Sequence, residues 1–404
     1  MHTTHNVDLD TLNVTAPPVL KKYQGTAMVV GALGAIGAIV GFVMNSTQAF
    51  HAYLIGFMMC VGFTMGPIAF VFVWFMTGGR WGLPMRRIWE AAGRLIWYPA
   101  ILFIPILIGW KQIFPWAHPE NYQHNENVTR LIHDYLNFNG LLLRGILYFV
   151  LFFILVYVTD HFSKIQDAPN TRFLGSKLNG FGGVAVVVYF FAMSFAGIDW
   201  VMSLTPAWPS TIWAMNLIVG QGLFGLALGI IVANVMVKFE PMSTFMDEIV
   251  FHDNGKLLFA FVMLWAYTAF SQWLIIWSGN LPDEISFYLD RLRGGWQFSS
   301  LFLALFHFCV PFAMLLSASL KKNPAQLVWV ACWLVVMRWW DLTWNIEGSY
   351  HPAHFGWSGM WMDLVIPVGM VGIWAALFVR SYMSRPILPL YDPHLLELVD
   401  KDHE

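Results

Sequence analysis

Ten apolar stretches, each long enough to cross a bilayer, recur near residues 25-44, 49-75, 95-113, 140-159, 181-202, 211-237, 255-279, 297-320, 325-345 and 362-381. About 20 apolar residues span the hydrocarbon layer as a helix. Only helices and closed barrels satisfy their own backbone groups there. The expected fold is therefore all-α: a polytopic membrane protein with ten transmembrane helices, arranged as two four-helix bundles plus two flanking helices. Only 11% of the 404 residues are charged and 58% are hydrophobic, far from soluble averages. A net charge of -2 supplies no field to attract nucleic acid.

The bundles rest on a weak internal repeat. FAMSFAGIDWVMSLTP and VVMRWWDLTWNIEG place Asp199 and Asp341 near the same ends of the fifth and ninth expected helices, with Trp200 and Trp344 following. Four helices of separation preserves orientation, which suits two units related about the membrane normal. The expected division is a tail over 1-24, a flanking helix over 25-48, a first bundle over 49-202, a second over 203-345, an outer loop with a flanking helix over 346-381, and a tail over 382-404. Sixteen Lys and Arg lie on the side of the N-terminus and four on the other, so the positive-inside rule puts both termini in the cytoplasm. The GALGAIGA run of the first helix reads as a small-residue packing face.

A charge inside a spanning helix costs several kcal/mol and needs a partner or a purpose. The polar and ionisable residues cluster toward the outer half: Arg144, Asp199 and Gln272 near outer helix ends, Arg338 and Asp341 sharing one face of the ninth helix, and Glu347 just beyond it. His307 sits near mid-membrane. One reading is a hydrated half-channel from Glu347 through Asp341 and Asp199 to His307, whose ordinary pKa near 6.5 suits proton exchange. The alternative is that Arg338–Asp341 and Arg144–Asp199 are ion pairs locking helices together, with His307 donating to a backbone carbonyl.

Other chemistries find no pattern. His351 and His354 have no further ligands spaced to complete a metal site, and none is expected. Cys60, Cys309 and Cys332 lack cluster or zinc spacing. No Walker, GxSxG or HExxH motif is present, so no catalytic residue is assigned. A membrane haem would want two histidines at matching depth, whereas His307 is alone there and His51 lies near the outer surface. Trp116, Trp208, Trp357 and Trp361 suit an interfacial belt or a docking surface for an external partner.

The segment SFAGIDWVMSLTPAWPSTIWAMNLIVGQG, 194-222, together with RLRGGWQFSSLFLALFHFCVPFAMLL and VVMRWWDLTWNIEG, resembles the NrfD/PsrC-like membrane subunits of bacterial alternative complex III, in particular the smaller, ActF-type subunit. The likeness runs from the second helix to the tenth. It implies a multi-pass subunit of a quinol:electron-acceptor oxidoreductase in the bacterial cytoplasmic membrane. The quinol, iron–sulfur clusters and c-type haems would be held by partner subunits: a multihaem cytochrome c, an iron–sulfur subunit and a sister NrfD-like chain. Asp199 matches the acid of the motif. The third helix, LIWYPAILFIPILIGW, lacks the histidine expected of a quinol site, which leaves His51 and Asp199 as weak quinone-binding candidates. The resemblance thus implies a proton path and docking role in electron transport, with no cofactor bound by this chain. A secondary transporter would also show an internal repeat and buried charges, and substrate-dependent uptake by the reconstituted chain would distinguish it.

Overall fold

The computed structural model describes residues 12–167, 175–351, 357–389, 392 and 395. Among them, nine helices are long and apolar enough to cross a membrane. They are α1 Leu20–Met44, α2 Ser46–Thr77, α3 Arg86–Ile108, α4 Phe138–Gln166, α5 Gly175–Trp200, α6 Trp213–Met236, α7 Glu248–Gly279, α8 Trp296–Leu316 and, after α9, α10 Trp357–Tyr382. The chain is a multi-pass membrane protein. The remaining expected helix, α9 Pro324–Tyr350, is 27 residues long, but Arg338, Asp341, Asn345 and Glu347 interrupt its apolar run.

Several helices outrun their expected bounds because capping and packing continue past the apolar core. Asp247 accepts from the Val250 N–H and starts α7 well before 255. α9 runs on to Tyr350, so Glu347 sits on a helix and not in the outer loop expected over 346-361. α8 is interrupted: Ala304–Cys309 winds as a π-helix. Pro311 has no N–H to give the His307 carbonyl four residues back, and the Phe306 carbonyl instead accepts from Trp333 Nε1 at 2.8 Å.

α2 is the central element, buried along nearly its whole length against α6, α10 and α5. Gly66 permits that closeness, since a Cβ there would lie 2.0 Å from the Gln221 carbonyl oxygen of α6. α1 packs chiefly on α10 through the glycines of GALGAIGA. A Cβ on Gly34 would lie 2.1 Å from Gly369 Cα, so the two backbones touch. The opposite side of α1, with Leu33, Ile36, Ile39 and Val43, is exposed and apolar, the surface a lipid-facing helix presents. Val14 and Ile387 bond backbone to backbone at 3.1 Å, so the two ends of the described chain meet on one face.

Candidate functional site

The opposite face gathers the other helix ends. Tyr350 donates to the Ile113 carbonyl at 2.6 Å, Thr205 bonds Ser349 at 3.2 Å, and Trp296 donates to the His351 carbonyl at 2.8 Å. The connection 114-139 is folded into short helices, with Asn125 capping Glu126–Asp134. Its histidines are local contacts: His118 bonds the Lys111 carbonyl and Glu120, and His133 bonds Asp134. That last bond holds the exposed Asp134 carboxyl below its ordinary range.

Three polar clusters lie beneath this face. In the first, Arg144 Nε of α4 donates to Asp199 Oδ2 of α5 at 2.7 Å, and Tyr148 donates to the same oxygen at 2.7 Å. Arg144 also stacks over the Tyr135 ring at 3.8 Å. Asp199 is buried, and its Oδ1 has no hydrogen-bond partner. The expected Arg144–Asp199 pair is therefore present, with one acceptor atom to spare.

In the second, Arg338 and Asp341 form an ion pair on one face of α9, as their three-residue spacing predicts. Asn345, one turn on, donates to the Asp341 carbonyl at 2.8 Å. Gly220 of α6 abuts the guanidinium: a Cβ there would lie 2.0 Å from Arg338 Cζ. His307 is fully buried beside this pair, its ring 3.9 Å from that of Trp265. Neither ring nitrogen of His307 has a hydrogen-bond partner. This corrects the expectation that it donates to a backbone carbonyl. Its place in a π-helical turn is a second departure from ordinary packing, and such turns recur at functional sites.

A cleft of about 620 Å³ opens onto this cluster between α6, α7, α8 and α9. Aromatic side chains, among them Trp213, Trp265 and Trp273, line it, and Asn216, Gln272 and Asp341 supply the polar atoms. Gln272 Nε2 is buried without a partner.

The third cluster is one that sequence spacing missed. Glu347 lies six residues past Asp341, about 120° around the helix at 3.6 residues per turn, and turns toward α2. It meets His51, with Nδ1–Oε1 at 4.0 Å, and His351, with Nε2–Oε2 at 3.7 Å. Gln48 Nε2 donates to Asp363 of α10 at 2.9 Å, and His351 Nε2 bonds Gln48 Oε1 at 3.2 Å. His51 lies near the start of α2 and is buried. His354 lies outside the described residues. No sequence signal joined residue 51 to residue 347, because the contact is made by two helices nearly 300 positions apart.

Among the described residues no hydrogen bond or ion pair joins Asp199 to Asp341 directly, so they belong to separate clusters. The repeat is likewise uneven: Asp199 pairs with a neighbouring helix and Asp341 with its own. Trp116 and Trp208 are buried, not surface anchors; Trp116 donates to Ser203 at 3.2 Å and Trp208 stacks on Phe287 at 3.9 Å. Arg291 is buried, and among the described residues it has no carboxylate within ion-pair distance. It donates to the Phe287 and Asn345 carbonyls at 3.0 Å, and burial pulls its guanidinium down to about 9.

No protein-family model matches the chain, and no curated protein matches it.

Proposed function

We propose that this chain is an integral membrane subunit of a quinol:electron-acceptor oxidoreductase of the alternative complex III type, with ten spanning helices in two bundles. It sits in the bacterial cytoplasmic membrane with both termini inside. Its contribution is a proton path in the outer half, while quinol, iron–sulfur clusters and c-type haems belong to partner subunits. The observation that carries this reading is the Arg338–Asp341–His307 cluster at the edge of the cleft. A buried histidine with both nitrogens unengaged offers one N–H and one lone pair to water entering from the cleft, and Asp341 and Gln272 supply polar stations on the way in. Asp199, with a spare oxygen, forms a parallel station in the first bundle. Purification of the chain from its native membrane, followed by a haem stain and optical spectrum, tests the assignment. Co-purifying c-type haem supports it; a chain that travels without haem-bearing neighbours overturns it.

A second reading follows from the cleft itself. Its volume of about 620 Å³ and its aromatic walls suit a lipophilic ring compound, with Asp341, Asn216 and Gln272 to meet polar ring substituents. The chain would then bind quinone in its second bundle, away from the weak candidates His51 and Asp199. A quinone analogue carrying a photoreactive group would label Trp265 or Trp273 in that case and would leave them unlabelled otherwise.

A further inference from the structure

The third cluster has an arrangement that protein side chains alone leave incomplete. Glu347 and Asp363 are both buried, and they lie within hydrogen-bonding reach of one another. Among the described residues, neither has a Lys or Arg within ion-pair distance; the basic side chains within 4.0 Å of Glu347 are the imidazoles of His51 and His351. Burying a carboxylate without a compensating cation is costly. Elsewhere in this chain that cost is met by arginine, as at Asp199 and Asp341.

The histidines supply the second observation. His51 Nε2 bonds the Gln112 carbonyl at 3.3 Å, which requires the proton on Nε2 and leaves Nδ1 as a bare lone pair. That Nδ1 is buried, has no hydrogen-bond partner and faces Glu347 Oε1, which is itself buried and unpartnered. A backbone carbonyl that fixes the tautomer and aims the other nitrogen is the usual support of a metal-bound imidazole. Stacking of the His51 ring on Tyr350, with centroids 3.4 Å apart, fixes the plane of the ring as well.

We propose that His51, Glu347 and His351 form a binding site for a divalent transition-metal ion of the zinc type, with two imidazole nitrogens and one carboxylate as ligands. One ligand atom from each lies within 4.8 Å of the others. Ligands about 2.05 Å from a tetrahedral ion sit about 3.3 Å apart, so the three close by at most about 1.5 Å on binding. His351 makes most of that movement. It caps the end of α9 and is half-exposed, and it exchanges its bond to Gln48 Oε1 for the ion. The fourth position falls to water or to Asp363, which Gln48 holds beside Glu347. The mixed donor set of imidazole and carboxylate selects zinc-like ions over magnesium or calcium, which prefer oxygen alone. The ion ties the start of α2 to the end of α9, and the site stands whether or not the chain serves a quinol complex.

The purified, metal-stripped chain in detergent, titrated with Co²⁺, tests the site. One equivalent of Co²⁺ is expected to give ligand-field absorption between about 500 and 650 nm, lost when Zn²⁺ is added in slight excess. His351→Ala, at the most exposed ligand and with least risk to folding, is expected to weaken Co²⁺ affinity at least about tenfold; Glu347→Gln is expected to abolish the signal. Zn²⁺ should also raise the melting temperature of the wild-type chain and leave that of Glu347→Gln unchanged. Absence of saturable Co²⁺ binding to the wild-type chain at 1 mM, or equal binding by wild type and both variants, overturns the proposal; in the first case a proton shared by the two carboxyls replaces the ion.

Discussion

Arg338 and Asp341 allow the sharpest energetic test. Both are buried, at 1% and 4% exposure, and each is the other's only oppositely charged partner among the described residues. Asp341→Leu alone strands a guanidinium between Gly220, Phe224 and His307, and Arg338→Met alone strands a carboxylate beside the apolar cleft. Removing one member of a buried pair costs about 3–5 kcal/mol, whereas replacing both by apolar side chains of similar volume is often neutral. The two single variants should therefore each lose about 3–5 kcal/mol and the double variant about 0–2, a coupling of at least about 4 kcal/mol. SDS-titrated unfolding of the purified chain in mixed micelles, followed by tryptophan fluorescence, measures all four corners of the cycle. A coupling below about 0.5 kcal/mol would mean that the two act independently, and the pairing would be wrong.

Three further outcomes follow from close contacts and burial. Gly220→Ala puts a methyl 2.0 Å from Arg338 Cζ and should destabilise the chain by about 1–3 kcal/mol, an effect that Arg338→Met suppresses in the same unfolding assay. Gly34→Leu drives α1 off α10 and should cost at least about 2 kcal/mol, while Gly25→Leu, with nothing within 4 Å of its Cβ, should change stability by less than about 0.5. Burial lowers the Arg291 guanidinium from its ordinary range to about 9, so the folded state holds that proton less tightly than the unfolded chain does. Its charge therefore opposes folding below about pH 9, and the penalty lifts as the pH rises through that value. Stability of the wild-type chain relative to Arg291→Met should rise between pH 8.5 and 10.5; a flat difference refutes the shift.

The helices were legible because hydropathy in a membrane is set residue by residue. The Arg338–Asp341 pair was legible because three-residue spacing on a helix fixes a shared face. The glycine face of α1 was also open to reading, since small residues at close intervals have few other uses in a spanning helix. What the sequence hid was lateral. Which helix lies beside which is decided by side-chain fit, and hydropathy carries no record of it. His51 thus reads as an isolated residue at a helix end until α9 brings Glu347 against it. The long extent of α9 was hidden for a related reason: Glu347 looks like a loop residue, yet it lies buried in the last turns of a helix that runs on to Tyr350. The π-helical turn around His307 has a sequence cause in Pro311, but a proline alone does not say whether a helix will kink, break or widen.

The polar groups around His307 matter most to the proposed role, and quinol:acceptor turnover with its accompanying proton release measures that role directly. Asp341→Asn, in a complex verified to contain all its subunits and haems, is predicted to lower turnover, or the protons released per electron, relative to wild type. Equal turnover and equal proton release in that intact complex would contradict the account.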